Sequence, residues 1–229
     1  MKTIIVTGAN GNLGVAVVKK FLDEGYNVVG IDFSGTNLEQ SLHNPGFELH
    51  SVDLTDEEAV ESFANAAIKK FGSIDGAFLL AGGFAMGGIH TVTNKEIQKM
   101  FTLNFETAFN ISRVLFPHML KNGHGRLVFI GARPALIPAQ GKGMMAYSLT
   151  KSLLFNYADM LNEEARGKDV VASVIVPSTI DTELNRKSMP DADPANWVKP
   201  CQLADVMEFI TSAKGSVLRE TVLKVYNNS

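Results

Sequence analysis

The stretch KTIIVTGANGNLG, residues 2–14, decides the fold of this chain. Its first half is a short apolar run rich in β-branched residues, which predicts a buried strand. Three glycines then follow at intervals of three residues, between that strand and the start of a helical pattern. Glycines there permit a tight turn, a close approach of the backbone to a pyrophosphate and close packing of helix on strand. The expected contacts with a dinucleotide are Gly8, Asn10, Gly11, Asn12, Leu13 and Gly14.

Further along the chain, short β-branched runs alternate with longer helical patterns. The runs that predict strands are YNVVGID, FELHSVDL, IDGAFLLAGG, GRLVFIG, DVVASVIVP and ETVLKVYN. Continuous apolar strands separated by helices are typical of a parallel sheet covered on both faces. Residues 1–229 are therefore predicted to form one α/β domain, a doubly wound Rossmann fold with a parallel sheet of about seven strands and helices on both faces.

Three local features of this pattern are specific enough to compare with a structure. Thr55 and the acidic residues after it predict the capped start of a helix over residues 55–72. Residues 94–120 are predicted to form one long helical region. Residues 180–200 contain three prolines and the only tryptophan, and we expect this irregular segment to form a lid over the substrate.

The composition limits the classes of partner. Hydrophobic residues make up 45% of the chain and charged residues 20%, the net charge is −3, and no block of like charge occurs. A nucleic acid or a membrane surface is therefore not an expected partner. The single cysteine cannot form an internal disulfide, and no apolar stretch approaches the roughly 18 residues of a membrane span. We expect a cytoplasmic protein that binds a small molecule, without a metal site because the histidines lack ligand spacing.

Acidic and small residues stand where the next strands end. Asp32 closes the second strand, where an acid accepts a hydrogen bond from the ribose 2′-hydroxyl and repels a 2′-phosphate. Neither the glycine loop nor the eight residues after Asp32 contain Arg or Lys, so NAD(H) is favoured over NADP(H). The other strand-end residues expected to border the cofactor are Asp53, Leu54, Ala81, Gly82 and Gly83.

The stretch YSLTK places Tyr147 and Lys151 four residues apart, on one face of a predicted helix. A free phenol has a pKa of about 10 and is a weak acid–base group at neutral pH. A neighbouring ammonium is expected to lower the pKa of Tyr147 and to suit it to proton transfer. Lys151 is also expected to hold the nicotinamide ribose.

The motifs TGANGNLG, VDLT, LLAGG, LNFETAFN, YSLTK and VPSTIDT resemble, in this order, the short-chain dehydrogenase/reductase family over nearly the whole chain. The resemblance implies that Tyr147 is the acid/base, that Lys151 supports the tyrosine and the ribose, and that Asn104 holds a water in a proton relay. The residues that it implies for the carboxamide are Thr179, Ile180 and Thr182. It also implies a homodimer or homotetramer assembled through two long helices, here at about 95–121 and 144–166.

Two positions depart from the family pattern. Members usually show Gly-xxx-Gly-x-Gly, whereas Asn12 stands here at the middle glycine position. The active-site serine is also missing, because Gly131 and Ala132 stand at the end of the fifth strand. Removal of one donor to a developing oxyanion typically costs about a hundredfold to a thousandfold in rate. Either efficient carbonyl chemistry is lost or the substrate does not need that donor, and Arg133 and Gln140 are candidate replacements.

The predicted lid favours the second alternative. The stretch DTELNRKSMPDADPANW, residues 181–197, resembles the corresponding segment of the dihydropteridine reductases, a branch of this family that also lacks the serine. The resemblance implies reduction of a quinonoid dihydropterin by NADH with Tyr147 as the proton donor. Charge then spreads over a conjugated ring, which flat apolar side chains suit. The expected substrate contacts are Phe84, Ala132, Gln140 and Trp197.

Two alternatives to the pterin reductase stay open at this point. One is a reductase or dehydrogenase of another carbonyl, alcohol or quinone-like compound. The other is a non-catalytic NAD-binding regulator that kept the fold after losing the serine. The presence of Tyr147, Lys151 and Asn104 argues against the regulator.

Overall fold

A computed structural model describes residues 1–33, 38, 43–219 and 222–228. Within them, seven strands form one sheet in the order β3-β2-β1-β4-β5-β6-β7. The strands are β1 (Thr3–Thr7), β2 (Asn27–Ile31), β3 (Phe47–His50), β4 (Gly76–Leu79), β5 (His124–Ile130), β6 (Asp169–Pro177) and β7 (Val222–Val225). Each neighbouring pair is parallel, so the predicted doubly wound sheet of about seven parallel strands is confirmed.

Helices connect the strands. They are α1 (Asn12–Asp23), α2 (Glu57–Phe71), α3 (Asn94–Phe101), α4 (Thr107–Asn122), α5 (Arg133–Leu136), α6 (Pro138–Gly141), α7 (Met145–Glu164), α8 (Glu183–Ser188) and α9 (Pro200–Thr211). Alternate residues of the strands face opposite layers, because side chains alternate along a strand. Ile4 and Val6 pack with residues of α1 and α9, whereas Ile5 packs with residues of α2, α4 and α7. Both faces of the sheet are therefore covered, as the continuous apolar strands predict.

The order of the strands creates a crevice at their carboxyl ends. Strand β1 pairs with β2 on one side and with β4 on the other, so Thr7 lies between Ile31 and Leu79. The connections diverge on the two sides of this point, and ligands of doubly wound sheets bind at such a divergence.

The prediction that Thr55 caps α2 is wrong. The cap is Asp56, whose Oδ1 accepts from the backbone N–H groups of Glu58 and Ala59 at 3.0 and 3.1 Å. The Thr55 hydroxyl instead donates to Asp53 Oδ1 at 2.7 Å, so it stabilises the turn after β3.

The predicted long helical region over residues 94–120 is confirmed, but it is not α-helical throughout. A π-helical turn, Thr102–Glu106, separates α3 from α4. Single π turns are uncommon and occur frequently at functional sites. This turn carries Asn104 and aims its side chain into the interior, where the residue is only 1% exposed.

Candidate active site

The glycine loop has positions that only glycine fits. Gly8 has a φ of +63°, and a Cβ there would lie 3.1 Å from the backbone N of Ala81. A Cβ at Gly14 would lie 2.6 Å from the carbonyl oxygen of Ala9. No side chain caps α1 at its start, so the first-turn N–H groups after the loop are open to an anion. The local geometry is that of a phosphate-binding turn.

Asp32 connects the loop to the end of β2. Its Oδ2 accepts from the backbone N–H of Asn10 at 3.0 Å, and its own N–H donates to the His50 carbonyl at 3.1 Å. The carboxylate is half-buried at the rim of the crevice. A negative charge is therefore held beside the loop, where the sequence predicts the adenosine ribose.

A cleft of about 330 Å³ runs along these strand ends. The predicted cofactor residues that line it are Gly8, Gly11, Asp32, Asp53, Leu54, Ala81 and Gly82. Of the other predicted loop contacts, Asn12 is exposed at the first position of α1 and Leu13 packs against the core beneath it.

The wall expected to border the adenine is held by polar contacts. Asp53 Oδ1 accepts from the hydroxyl and the backbone N–H of Thr55, and these hydrogen bonds lower the pKa of Asp53. The Leu54 carbonyl accepts from Asn110 Nδ2 at 3.0 Å. Asn110 is 4% exposed on α4, and the sequence analysis did not single it out. The available signal was a polar residue on the apolar face of a predicted helix.

The nucleotide cleft and the reacting end meet at Gly82. This residue lines the cleft, and a Cβ there would lie 2.7 Å from Asn104 Oδ1 and 3.3 Å from Lys151 Nζ. The neighbouring Gly83 N–H donates to Asn104 Oδ1 at 2.9 Å. Backbone without a side chain therefore separates the cleft from the two polar groups.

Asn104 joins β4 to α7. Its Oδ1 accepts from the Gly83 N–H, and its Nδ2 donates to Thr150 Oγ1 at 3.3 Å. Thr150 in turn donates to the carbonyls of Ala146 and Tyr147 at 2.9 and 3.0 Å. Thr150 is a positioning residue that the sequence analysis missed. The predicted role of Asn104 in holding a relay water stays a prediction.

Lys151 and Tyr147 lie on the same face of α7, but the expected effect on the tyrosine is wrong for the protein by itself. Lys151 is 6% exposed and donates from Nζ to the Ile130 carbonyl at 2.8 Å. Burial lowers the pKa of Lys151 to about 8 and raises the pKa of Tyr147 to about 12. Desolvation outweighs the attraction that the sequence analysis assumed. The phenol is therefore protonated at neutral pH.

Phe84 lies directly against the predicted proton donor. The centres of the Phe84 and Tyr147 rings are 5.0 Å apart at 71°, an edge-to-face contact. Phe84 is 60% exposed, so the rest of its ring is available to another molecule. The structure thus brings a predicted substrate contact to the predicted acid.

Gly131, the first residue after β5, has no room for a side chain with a hydroxyl group. A Cβ at Gly131 would lie 2.8 Å from Val174 Cγ1 and 3.0 Å from Phe155 Cζ. Ala132 follows, 4% exposed, and contributes only a methyl group. The side chains at this strand end therefore supply no donor.

The two candidate replacements for the serine contact each other. Arg133 Nε donates to Gln140 Oε1 at 3.0 Å, and Gln140 is exposed. The Arg133 guanidinium also lies over the ring of Tyr226, 5.4 Å from its centre. This contact links the active-site strand end to the last strand.

The base of the lid uses its backbone groups to hold itself. The Thr179 carbonyl accepts from the Val198 N–H at 2.9 Å, and the Ile180 carbonyl accepts from Asn185 Nδ2 at 2.8 Å. Thr182 Oγ1 caps α8 by accepting from the Asn185 N–H at 3.1 Å. The residues predicted to hold the carboxamide thus also tie down the lid.

The interior of the lid is more regular than predicted. Residues 183–188 form α8, and Pro194–Asn196 form a 3₁₀ turn. Arg186 makes two hydrogen bonds to Asp181, at 2.6 and 2.8 Å. The expectation of an irregular segment is wrong for α8, because a threonine cap and this ion pair stabilise one helical turn and a half.

Trp197 lies inside the protein. It is 5% exposed, and its carbonyl accepts from Asn227 Nδ2 at 2.9 Å. This burial favours a role as an anchor of the lid over a role as an open platform for substrate.

Among the residues that the structure describes, no group of three or more His, Cys, Asp or Glu side chains is placed to hold a metal ion. None of the helices described is long and apolar enough to cross a membrane.

The fold and the site together define an oxidoreductase that binds a dinucleotide at the carboxyl ends of a doubly wound sheet. A family model described as short chain dehydrogenase matches residues 2–193. The chain therefore belongs to the short-chain dehydrogenase family.

Known proteins extend this likeness over the whole chain. Dihydropteridine reductase of Dictyostelium discoideum is 29% identical, over 100% of this chain and 96% of that protein. 2,3-Dihydro-2,3-dihydroxybenzoate dehydrogenase of Bacillus subtilis is 24% identical, over 93% of this chain and 90% of that protein. The crystal structure of NAD⁺-bound xylitol dehydrogenase superimposes with a TM-score of 0.86 at 20% identity, over 99% and 98% of the two chains. Relatives thus share the fold and differ in substrate.

Proposed function

We propose that the protein is an NADH-dependent reductase that converts quinonoid dihydropterin to tetrahydropterin, with Tyr147 as the proton donor. The observation that carries the proposal is the exposed ring of Phe84 against the Tyr147 phenol, beside a strand end at which Ala132 supplies no hydroxyl. This arrangement suits a flat conjugated acceptor better than an isolated carbonyl group.

The residues of the cleft fit a nicotinamide dinucleotide. The glycine positions leave room for the pyrophosphate, and Asp32 stands beside the loop to accept from a ribose hydroxyl. The same carboxylate repels a 2′-phosphate, which supports NADH over NADPH. A nicotinamide cofactor would supply a hydride when bound; among solved structures of the same fold, one holds NAD⁺ and another holds NADP.

The ionisation of the reacting end leaves a proton on Tyr147. With a pKa of about 12, the phenol is protonated at neutral pH but is a weaker acid than a free phenol, so it releases its proton only to a strong base formed in the reaction. The Lys151 ammonium, with a pKa of about 8, is mostly charged at pH 7 and stabilises the phenolate that remains. Lys151 is held in place by the Ile130 carbonyl.

The missing serine is consistent with this substrate class. A donor to one oxygen matters most when negative charge collects on that oxygen. In a reduced pterin ring the charge spreads over several nitrogens and a carbonyl, so the loss of one donor costs less. The similarity of this chain, over its full length, to the dihydropteridine reductase of Dictyostelium discoideum also supports a pterin substrate.

A panel of turnover assays with NADH tests the proposal. We expect reduction of quinonoid dihydropterin to exceed that of simple ketones by at least about a hundredfold in kcat/KM. The variant Tyr147→Phe should lower kcat by about a hundredfold or more, because general acid catalysis is worth that much. NADH binding, measured by fluorescence, should not change in that variant. Faster reduction of ketones than of the pterin would overturn the proposal.

We also infer that two copies associate through α4 and α7. Rings on this side form a continuous aromatic array of Phe101, Phe105, Phe109 and Tyr157, with centre distances of 5.4 to 6.1 Å between neighbours. Leu149, Leu153 and Met160 are exposed on α7. Light scattering should give at least a dimer, and Leu149→Glu with Leu153→Glu should yield a folded monomer. A monomeric wild-type protein would contradict this inference.

A further inference from the structure

The segment after β7 contacts the two segments that we expect to enclose the substrate, namely the helices after Ala132 and the predicted lid, which are called the two walls below. On one side, the Tyr226 ring lies under the Arg133 guanidinium, 5.4 Å from centre to Cζ, within the range of a cation–π contact. On the other side, Asn227 Nδ2 donates to the carbonyls of Trp197 and Ala195 at 2.9 and 3.3 Å. Two consecutive residues therefore connect two segments that are distant in sequence.

The first wall is the elbow formed by α5 and α6, residues 133–141. It follows Ala132 directly and packs on α7 beside Tyr147, since a Cβ at Gly141 would lie 3.0 Å from Ser148 Oγ. Within the elbow, Arg133 Nε donates to the side-chain Oε1 of Gln140 at 3.0 Å. The contact with Tyr226 fixes the arginine that organises this wall.

The second wall is the lid. Its far end returns to the body at Trp197, which is buried, and Val198, which forms a parallel bridge with Ile180. The two hydrogen bonds from Asn227 attach the backbone of this returning segment. The position of the lid relative to the sheet thus depends on the chain end.

The backbone at Asn227 supports a dedicated role. Its φ is 51°, and among the described residues no other residue except glycine has a positive φ. Such a conformation costs free energy, although Asn tolerates it better than most residues. The neighbouring Tyr226 is fixed as well, because its carbonyl accepts from Ser178 Oγ at 2.7 Å at the end of β6. An unfavourable conformation is therefore held in place by contacts to both sides.

We propose that Tyr226 and Asn227 are positioning residues of the substrate pocket. They hold the elbow and the lid at a fixed separation around the acceptor, while the adenosine and pyrophosphate end of the cofactor cleft, on the other side of Gly82, does not depend on them. The activity readout of this proposal rests on the reductase function proposed above.

The variant Asn227→Asp tests the hydrogen bonds from Asn227 to the lid. It keeps the size of the side chain and tolerates the left-handed backbone, but a carboxylate cannot donate to two carbonyl oxygens. We expect the KM of the pterin to rise about tenfold, as for the loss of one or two hydrogen bonds, with kcat and NADH affinity within twofold of wild type. Asn228→Asp is the matched control, because it adds the same charge one residue further along the chain.

The pair of variants Tyr226→Phe and Tyr226→Ala tests the contact between the Tyr226 ring and Arg133 of the elbow. Phenylalanine keeps the ring under Arg133, so its KM should stay close to that of wild type. Alanine removes the ring and should raise the KM about threefold to fivefold. Equal KM values for the two variants would contradict the proposed role of the Tyr226 ring in holding the elbow.

Hydrogen exchange separates failure of this proposal from failure of the proposed function. Asn227→Asp should speed exchange of amides over residues 183–198, while amides of β1 and α1 keep the wild-type rate. If no pterin is reduced but lid exchange rises, the reductase function fails and the positioning role stands. Unchanged lid exchange, or an equal loss of NADH affinity and pterin affinity, overturns the positioning role.

Discussion

The two ends of the cleft are built in different ways. The nucleotide end is built mainly from backbone: a glycine loop, a helix start without a side-chain cap and the segments that follow β2, β3 and β4, to which Asp32 and Asp53 add carboxylates. The reacting end consists of side chains from a π turn, α7 and the loop after β4, together with two segments that the chain end holds. The backbone geometry of the nucleotide end is set mainly by local sequence, whereas the reacting end depends on contacts between distant elements. Substrate can therefore change while the cofactor site stays the same.

The largest effect should follow from a side chain in the glycine loop. Gly14→Ala places a Cβ on the Gly8 carbonyl oxygen and within 2.6 Å of that of Ala9, so the helix must move away from the loop. We expect a loss of about 3 kcal/mol or more in the free energy of unfolding and no measurable NADH binding. Denaturant unfolding and fluorescence titration measure the two effects.

A matched glycine at the reacting end provides the control. A Cβ at Gly143, just before α7, meets no atom within 4 Å. Gly143→Ala should therefore leave stability within about 0.5 kcal/mol of wild type. Equal losses in both variants would contradict the assignment of the Gly14 effect to the close contacts of its Cβ.

The pH dependence should arise at the reacting end. Because burial lowers the pKa of Lys151 to about 8, its ammonium is lost as the pH rises through that value. Tyr147, at about 12, keeps its proton over the same range. We expect kcat/KM for reduction to be constant below pH 8 and to fall about tenfold per pH unit above it. NADH affinity measured at the same pH values separates a catalytic loss from a binding loss.

Lys151→Arg checks this assignment, because a guanidinium keeps its charge to much higher pH. The fall in kcat/KM above pH 8 should disappear in this variant even if its rate at pH 7 is low. A fall that persists above pH 8 would show that another group loses the proton.

A donor at the end of β5 should change the choice of substrate. Ala132→Ser puts a hydroxyl at a buried position next to the phenol-bearing helix. Reduction of simple ketones should increase about tenfold, part of the value of one oxyanion donor, while pterin reduction changes less than threefold. Ketone rates that stay at the wild-type level would show that the absence of the serine does not decide the specificity.

The smallest effect concerns the choice of cofactor. Asp32→Asn retains an oxygen that accepts from the Asn10 N–H and removes the charge that opposes a 2′-phosphate. The ratio of kcat/KM for NADH to that for NADPH should fall about fivefold, which is about 1 kcal/mol and the size of one ordinary hydrogen bond. A ratio that does not move would place the discrimination in other residues of the cleft.

How well the sequence predicted a feature depended on how far apart in sequence the interacting groups lie. The glycine loop follows from thirteen consecutive residues, so its conformation was predictable. The cap of α2 is an exception, because Thr55 and Asp56 are both residue types that cap helices and the hydrogen bonds that distinguish them are local. The contacts of Asn110 with Leu54 and of Arg133 with Tyr226 join residues with no pattern in common. Their partners become visible only in the folded chain.

The sequence by itself determined the alternation of strands and helices, the loop at Gly8 and the placement of Tyr147 and Lys151 on one helix face. These depend on interactions within a few residues, which periodicity and residue type report. Tertiary structure alone decided the π turn at Asn104, the raised pKa of Tyr147 and the attachment of the lid by Asn227. Each of these depends on burial and on partners brought together by the sheet, and desolvation has no signature in a linear sequence.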